Sequence, residues 1–257
     1  MPIFDTPAPI TATIEVSVGE VRLVASDRTD TVVEVRPANQ ADASDVDAAA
    51  QTRVDYANGE LRVIGPKRHP FDVSKKSRAV AVTIELPAGS RVRGDAAMGD
   101  FDGTGSLGDC RFKTAAGHVR LETTGRLRVE TAAGHVEVGR VEGDAEVRTS
   151  SGRVAIGAVG GTGFVKTSNG STKIGVAGGE LRLRAANGDI SVDRAAAGVD
   201  AESSCGDIEV GVAESAAARF ELKTRFGRVR NAVANSPGGG VGVRAHTAFG
   251  DITVRSA

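Results

Sequence analysis

A glycine returns along this chain at nearly fixed intervals, and no other feature restricts the fold as much. It stands at Gly99, Gly117, Gly134, Gly152, Gly170, Gly188, Gly206, Gly227 and Gly250, with spacings of 18, 17, 18, 18, 18, 18, 21 and 23 residues. Self-similarity at such a period marks stacked units, each too small to bury its own apolar face. Two copies read Thr-Ala-Ala-Gly-His-Val-Arg-Leu from Thr114 and Thr-Ala-Ala-Gly-His-Val-Glu-Val from Thr131. Two and four residues after the glycines lie pairs such as Val136/Val138, Ile190/Val192 and Ile252/Val254, with polar residues such as Glu137 and Thr253 between them. Seven and five residues before them lie Leu127/Val129, Leu181/Leu183, Phe220/Leu222 and Val243/Ala245. Period-two alternation with one apolar face is the pattern of a half-buried strand. Each repeat therefore holds two short strands and two tight turns, with no room for a crossover helix. The expected fold is all-β: a two-sheet parallel β-solenoid, β-roll or β-helix-like, of about 18 residues per rung. Equivalent residues of successive rungs should lie about 4.8 Å apart.

The residue three before each glycine is small or hydroxylated: Thr114, Thr131, Thr149, Thr167, Ala185, Ser203, Thr224 and Thr247. This predicts a ladder inside a corner where little volume is available. The first part of the chain is less regular. Strands are expected over Ile14 to Ala25, Thr31 to Arg36 and Val80 to Leu86, with a loop over 65–78. One helix is expected near 42–54, with acidic residues in its first turn, placed to cap the first rung. The whole chain, 1–257, reads as one domain: irregular N-terminal rungs and cap over 1–78, then regular solenoid over 79–257.

Composition narrows the function classes. Lys and Arg number 32 against 33 Asp and Glu, so no net charge draws the chain to nucleic acid, and with no Trp and one Tyr it lacks stacking aromatics for single strands. The start, Met1-Pro2-Ile3-Phe4-Asp5-Thr6-Pro7, has neither a basic nor an apolar run, and no stretch reaches transmembrane length. A cytoplasmic location is the resulting expectation. Cys110 and Cys205 make no disulfide framework, and both are expected to be reduced.

The Thr-x-x-Gly-[Asp/His]-apolar-x-apolar copies, with Ile84-Glu85-Leu86-Pro87-Ala88-Gly89-Ser90 ahead of the first regular rung, resemble a bacterial putative-adhesin family of β-strand-repeat domains of unknown function. The likeness covers about residues 11–257. It implies surface attachment and brings no catalytic residues with it.

Several residue groups invite a chemical reading. His118 and His135 follow equivalent glycines and should be stacked, but the next rung offers Arg153, which repels a cation, so they read as exposed polar residues and no metal is expected. Asp189 and Asp207, near Asp193 and Glu209, could serve acid–base chemistry or bind a cation, but these rungs are short and lack the loops that form a cleft, so a solvated acidic patch is expected. The corners lack the Asp ladder of a calcium roll. No nucleophile motif, phosphate loop or cofactor fingerprint appears, and no cofactor is expected. The one concentrated basic stretch, with Lys67, Arg68, Lys75, Lys76 and Arg78, is a candidate site for an acidic partner, a phosphate or an anionic lipid head group, weighed against a solvated loop.

The leading expectation is a non-catalytic binding or scaffolding protein presenting a rigid polar face to a protein or polymeric partner. The second is a structural protein that self-assembles by stacking through its terminal rung. The third is a carbohydrate-active enzyme. For the second, the last strand, Asp251, Ile252, Thr253, Val254 and Arg255, is expected to be an uncovered edge through which a homo-oligomer forms.

Overall fold

The alternating segments become paired strands through nearly the whole chain. The computed structural model describes residues 1–66, 78–213, 218–235 and 240–257. They divide into two compact units, 1–125 with 130–132, and 126–129 with 133–257. Both are built as parallel β-solenoids, the expected fold class.

The first unit contains β1 (Ile3–Asp5), β2 (Thr11–Ser26), β3 (Asp30–Pro37), helix α1 (Ala43–Gln51), β4 (Arg53–Ala57) and β5 (Glu60–Ile64). It continues with β6 (Ala79–Pro87), β7 (Arg91–Leu107), β8 (Cys110–Ala116) and β9 (Val119–Thr124). Strands β2 and β7 pair in parallel from Thr11↔Arg91 to Val24↔Thr104, which aligns Gly19 with Gly99. On the other edge of β2 lie β5, with Thr11 opposite Glu60, and β6, with Val18 opposite Ala79. The offset is 49 residues for the first pairing and 61 for the second, so about twelve extra residues enter at this corner. In sequence the basic stretch falls between β5 and β6, and its residues 67–77 lie outside the described residues.

Beyond β5 and β6 the parallel stack ends. Strand β3 pairs antiparallel with β6, β4 antiparallel with β5, and β1 antiparallel with β3. The helix is shorter than the expected 42–54. Asp42 caps it, accepting from the Ser44 N–H at 2.7 Å, and Thr52 ends it, its hydroxyl donating to the Ala48 carbonyl at 2.8 Å. Val54 and Tyr56 are then taken by cross-strand pairing with Val63 and Leu61 through a two-residue turn at Asn58 and Gly59, both at positive φ.

Strand β10 (Leu127–Ala133) has residues in both units, and the second unit contains β11 (Val136–Val141), β12 (Ala145–Ser151), β13 (Val154–Val159), β14 (Gly163–Asn169), β15 (Thr172–Ala177) and β16 (Leu181–Asn187). Then come β17 (Ile190–Ala195), β18 (Val199–Cys205), β19 (Ile208–Val212), β20 (Ala218–Phe226), β21 (Val229–Asn231), β22 (Val241–Phe249) and β23 (Ile252–Ser256). Even-numbered strands from β12 to β18 form one sheet, and odd-numbered strands from β11 to β19 the other, all parallel. Apolar rows run straight through them, Val147–Val165–Leu183–Ala201 in one and Val138–Ile156–Ile174–Val192–Val210 in the other, and all are buried.

Sequence order then stops being spatial order. Strand β18 pairs with β22, and β19 with β23. Strands β20 and β21 lie on the far side of β22 and β23. The corner glycines therefore follow one another as Gly206, Gly250, Gly227. The hydroxyl ladder traces the same path: Ser203 Oγ donates to the Gly188 carbonyl at 3.0 Å, Thr247 Oγ1 to Gly206 at 3.0 Å, and Thr224 Oγ1 to Gly250 at 2.9 Å. The small residue three before each glycine thus does more than fit the corner; where it is Ser or Thr it can satisfy the carbonyl of the neighbouring corner. Thr149 Oγ1 donates within its own strand, to the Ser151 carbonyl at 3.3 Å, and Thr167 Oγ1 is buried without a partner.

Candidate functional site

At several corners the Asp or His that follows the glycine holds the neighbouring rung. Asp189 Oδ1 accepts from the Asp207 N–H at 2.8 Å, Asp207 Oδ1 from Asp251 N–H at 2.7 Å, and Asp251 Oδ1 from Arg228 N–H at 2.8 Å. His135 Nδ1 accepts from Arg153 N–H at 2.9 Å, which puts the proton of the neutral ring on Nε2. Asp100 Oδ1 accepts from His118 N–H at 2.7 Å. These side chains therefore have a structural role that alternation alone did not show. Among the described residues, no group of three or more His, Cys, Asp or Glu is placed to hold a metal ion.

The expected terminal edge is not an edge. Ile252, Thr253 and Val254 pair with β19 on one side and with β21 on the other. Asp251 is held by Arg228 and Arg230, each at 3.5 Å, and Arg255 by Glu209 at 2.7 Å. The Arg228 backbone N–H, and then the two guanidinium groups, hold the Asp251 carboxyl below the usual aspartate range. The correction follows from rung order: the outer rung of this unit is β20–β21, which the chain lays down before it returns. Of the basic candidates, Lys67, Arg68, Lys75 and Lys76 fall outside the described residues, and Arg78 immediately precedes β6 with φ of 49°.

The swapped order assembles an open groove of about 560 Å³. Its principal row consists of outward residues in register, Arg184 beside Glu202, Glu202 beside His246, and His246 beside Lys223. Ser204, Ala248 and Arg225, two residues further along three of these strands, also line it. Arg184 is fixed by Asp200 at 2.6 Å and Glu202 at 3.3 Å. Glu221 gathers Lys223 at 2.7 Å, Arg244 at 3.1 Å and His246 at 3.5 Å. Hydrogen bonds from Lys223 and Arg244 pull its carboxyl down to about 2. Three permanent cations, Arg184, Lys223 and Arg225, thus face a single carboxylate, Glu202, in the groove lining. Sequence reading missed this site because its strands become neighbours only through the swap.

The two thiols differ sharply. Cys110 is buried and Cys205 exposed, and neither is in a disulfide. Burial pushes the Cys110 thiol up to about 11. A thiol reagent at neutral pH should therefore modify one site per native chain, at Cys205, and a second only after denaturation. Mass spectrometry of the native reaction checks this; early labelling of Cys110 would contradict its burial.

The family model Toastrack DUF4097 matches residues 12–255. The chain belongs to that family. This Toastrack chain is similar to a solved structure described as a putative adhesin from Bacteroides fragilis, at 17% identity, covering 98% of this chain and 96% of that one with a TM-score of 0.44. It is also similar to one from Parabacteroides merdae described in the same words, at 13% identity, covering 100% and 95% with a TM-score of 0.42. None of the curated proteins compared matches the Toastrack chain.

Proposed function

We propose that this Toastrack chain is a non-catalytic, adhesin-like binding module that takes an extended acidic polymer along the outward face of its second unit. The observation that carries the reading is the groove in which the cations Arg184, Lys223 and Arg225 stand around the single lining carboxylate, Glu202. The groove is open, so it suits a chain lying across rungs better than an enclosed small molecule. Its side chains stand on regular strands and are held by ion pairs, which lowers the entropy lost on binding.

Biolayer interferometry against polygalacturonate and dextran tests it. Saturable, salt-sensitive binding to the acidic polymer and none to the neutral one is expected, weakened at least about tenfold by Arg184→Glu. Equal binding of both polymers, or an Arg184→Glu variant that binds like wild type, would reject the groove.

A further inference from the structure

We infer that two copies of this chain pair antiparallel through the edge of β20, Phe220 to Phe226, with which no described strand pairs. This does not rest on the groove reading. The inference starts from how each unit ends its parallel stack. In the first unit the outer rung, β5 and β6, is covered by β4 and β3, both antiparallel. In the second unit the outer rung is β20–β21, and among the described residues the outer edge of β20 has one strand-like pairing, an isolated bridge between Ala218 and Asn235. From Phe220 to Phe226 no described strand pairs with that edge.

The consequence is visible in the core positions. Val243 and Ala245 on β22 are 1% and 0% exposed, whereas Phe220 and Leu222, their register partners on β20, are only half-buried. Ile252 is fully buried, and its partner Val229 is 45% exposed. Phe226 and Phe249 stack at 5.0 Å with both rings more than half exposed. An unpaired row of backbone N–H and C=O groups beside a half-open apolar layer is a template for another strand.

The sequence of β20 favours a second copy as that strand. Antiparallel pairing of a strand with itself is closed by a two-fold axis, which yields a dimer and no further growth. The open stretch is centred on Lys223, so Glu221 of one copy falls opposite Arg225 of the other, twice. Leu222 falls opposite Thr224, and Phe220 opposite Phe226. Arg225 makes no ion pair within its own chain among the described residues, so the second copy supplies the carboxylate it lacks. The two Lys223 side chains meet at the axis, each already held by its own Glu221 at 2.7 Å. Opposite charges across a strand pair stabilise it and like charges weaken it.

Sedimentation velocity on the full chain over a wide concentration range should show a monomer–dimer equilibrium. Arg225→Glu should weaken dimerisation at least about tenfold, because Glu221 then faces a like charge. The double variant Glu221→Arg with Arg225→Glu should recover it. Thermal melts of the same samples establish that each variant is folded. In a Cys205→Ser background, Lys223→Cys should cross-link to a dimer under mild oxidation, since residues opposite one another across an antiparallel pair lie within disulfide reach. Arg219→Cys, which lies beyond the paired stretch, should not. A chain that stays monomeric at all concentrations would overturn the inference and leave the edge to a strand from a different protein. A dimer unaffected by Arg225→Glu, with no cross-link at position 223, would overturn it as well.

Discussion

Gly170→Ala is expected to destabilise the second unit by more than about 3 kcal/mol, whereas Gly242→Ala changes its stability by less than about 0.5 kcal/mol. Both are single added methyl groups in one solenoid. At Gly170 a Cβ would stand 2.2 Å from the carbonyl oxygen of Gly152 and 2.7 Å from its carbonyl carbon, and φ is +144°, a backbone state that side chains rarely adopt. The contact is with backbone of the adjoining rung, which cannot swing aside as a side chain would. Relief requires the two corners to separate, and that breaks the Gly152 N–H bond to the Asn169 carbonyl, now 2.9 Å, and with it the pairing of Ser151 with Asn169. At Gly242 nothing lies within 4 Å of the added carbon. Chemical denaturation of the two variants checks this directly. Similar midpoints would mean the corner tolerates a side chain and that the glycine repeat has another cause.

The repeat made the regular rungs legible in detail. Alternation fixed which residues face inward at Val136/Val138 or Leu181/Leu183, because a strand has only two faces. It did not fix which rung lies next to which. Ala201 accepts Ala245 as readily as it would accept Leu222, since each brings an apolar residue at the same place in the rung. The visible trace of the exchange was only the spacings of 21 and 23 where the others are 17 or 18. The candidate groove was illegible for the same reason: Lys223 lies beside His246, and His246 beside Glu202, only after the chain has skipped a rung and returned. The helix boundary was missed through a local signal that was present. Asn58-Gly59 is a two-residue hairpin turn, and it claims Arg53–Ala57 as a strand. The corner Asp and His residues looked like solvated pairs because a side chain accepting from the next rung's backbone leaves no mark in sequence periodicity.

Ile190→Asp is expected to unfold the second unit, at a cost above about 4 kcal/mol, while Asp189→Ala costs about 1 kcal/mol. Adjacent residues differ so much because the strand turns one inward and one outward. Ile190 is 1% exposed and lies in a column with Thr172 on one side and Ile208 on the other, both buried. A carboxylate there loses its hydration among aliphatic groups, and no described cation reaches that column to pair with it. It also removes the apolar bulk that two neighbouring rungs pack against, so the loss cannot be confined to one rung. Asp189 is exposed, but it is not idle: its Oδ1 accepts the Asp207 N–H at 2.8 Å. Alanine leaves that N–H to water at an open corner, so the cost is one hydrogen bond exchanged and no buried donor is stranded. Circular dichroism melts separate the cases. Equal losses in the two variants would show that the inward column at Ile190 is misassigned. A clear gain for Asp189→Ala would show instead that repulsion between the stacked Asp189 and Asp207 outweighs the bond that joins their rungs.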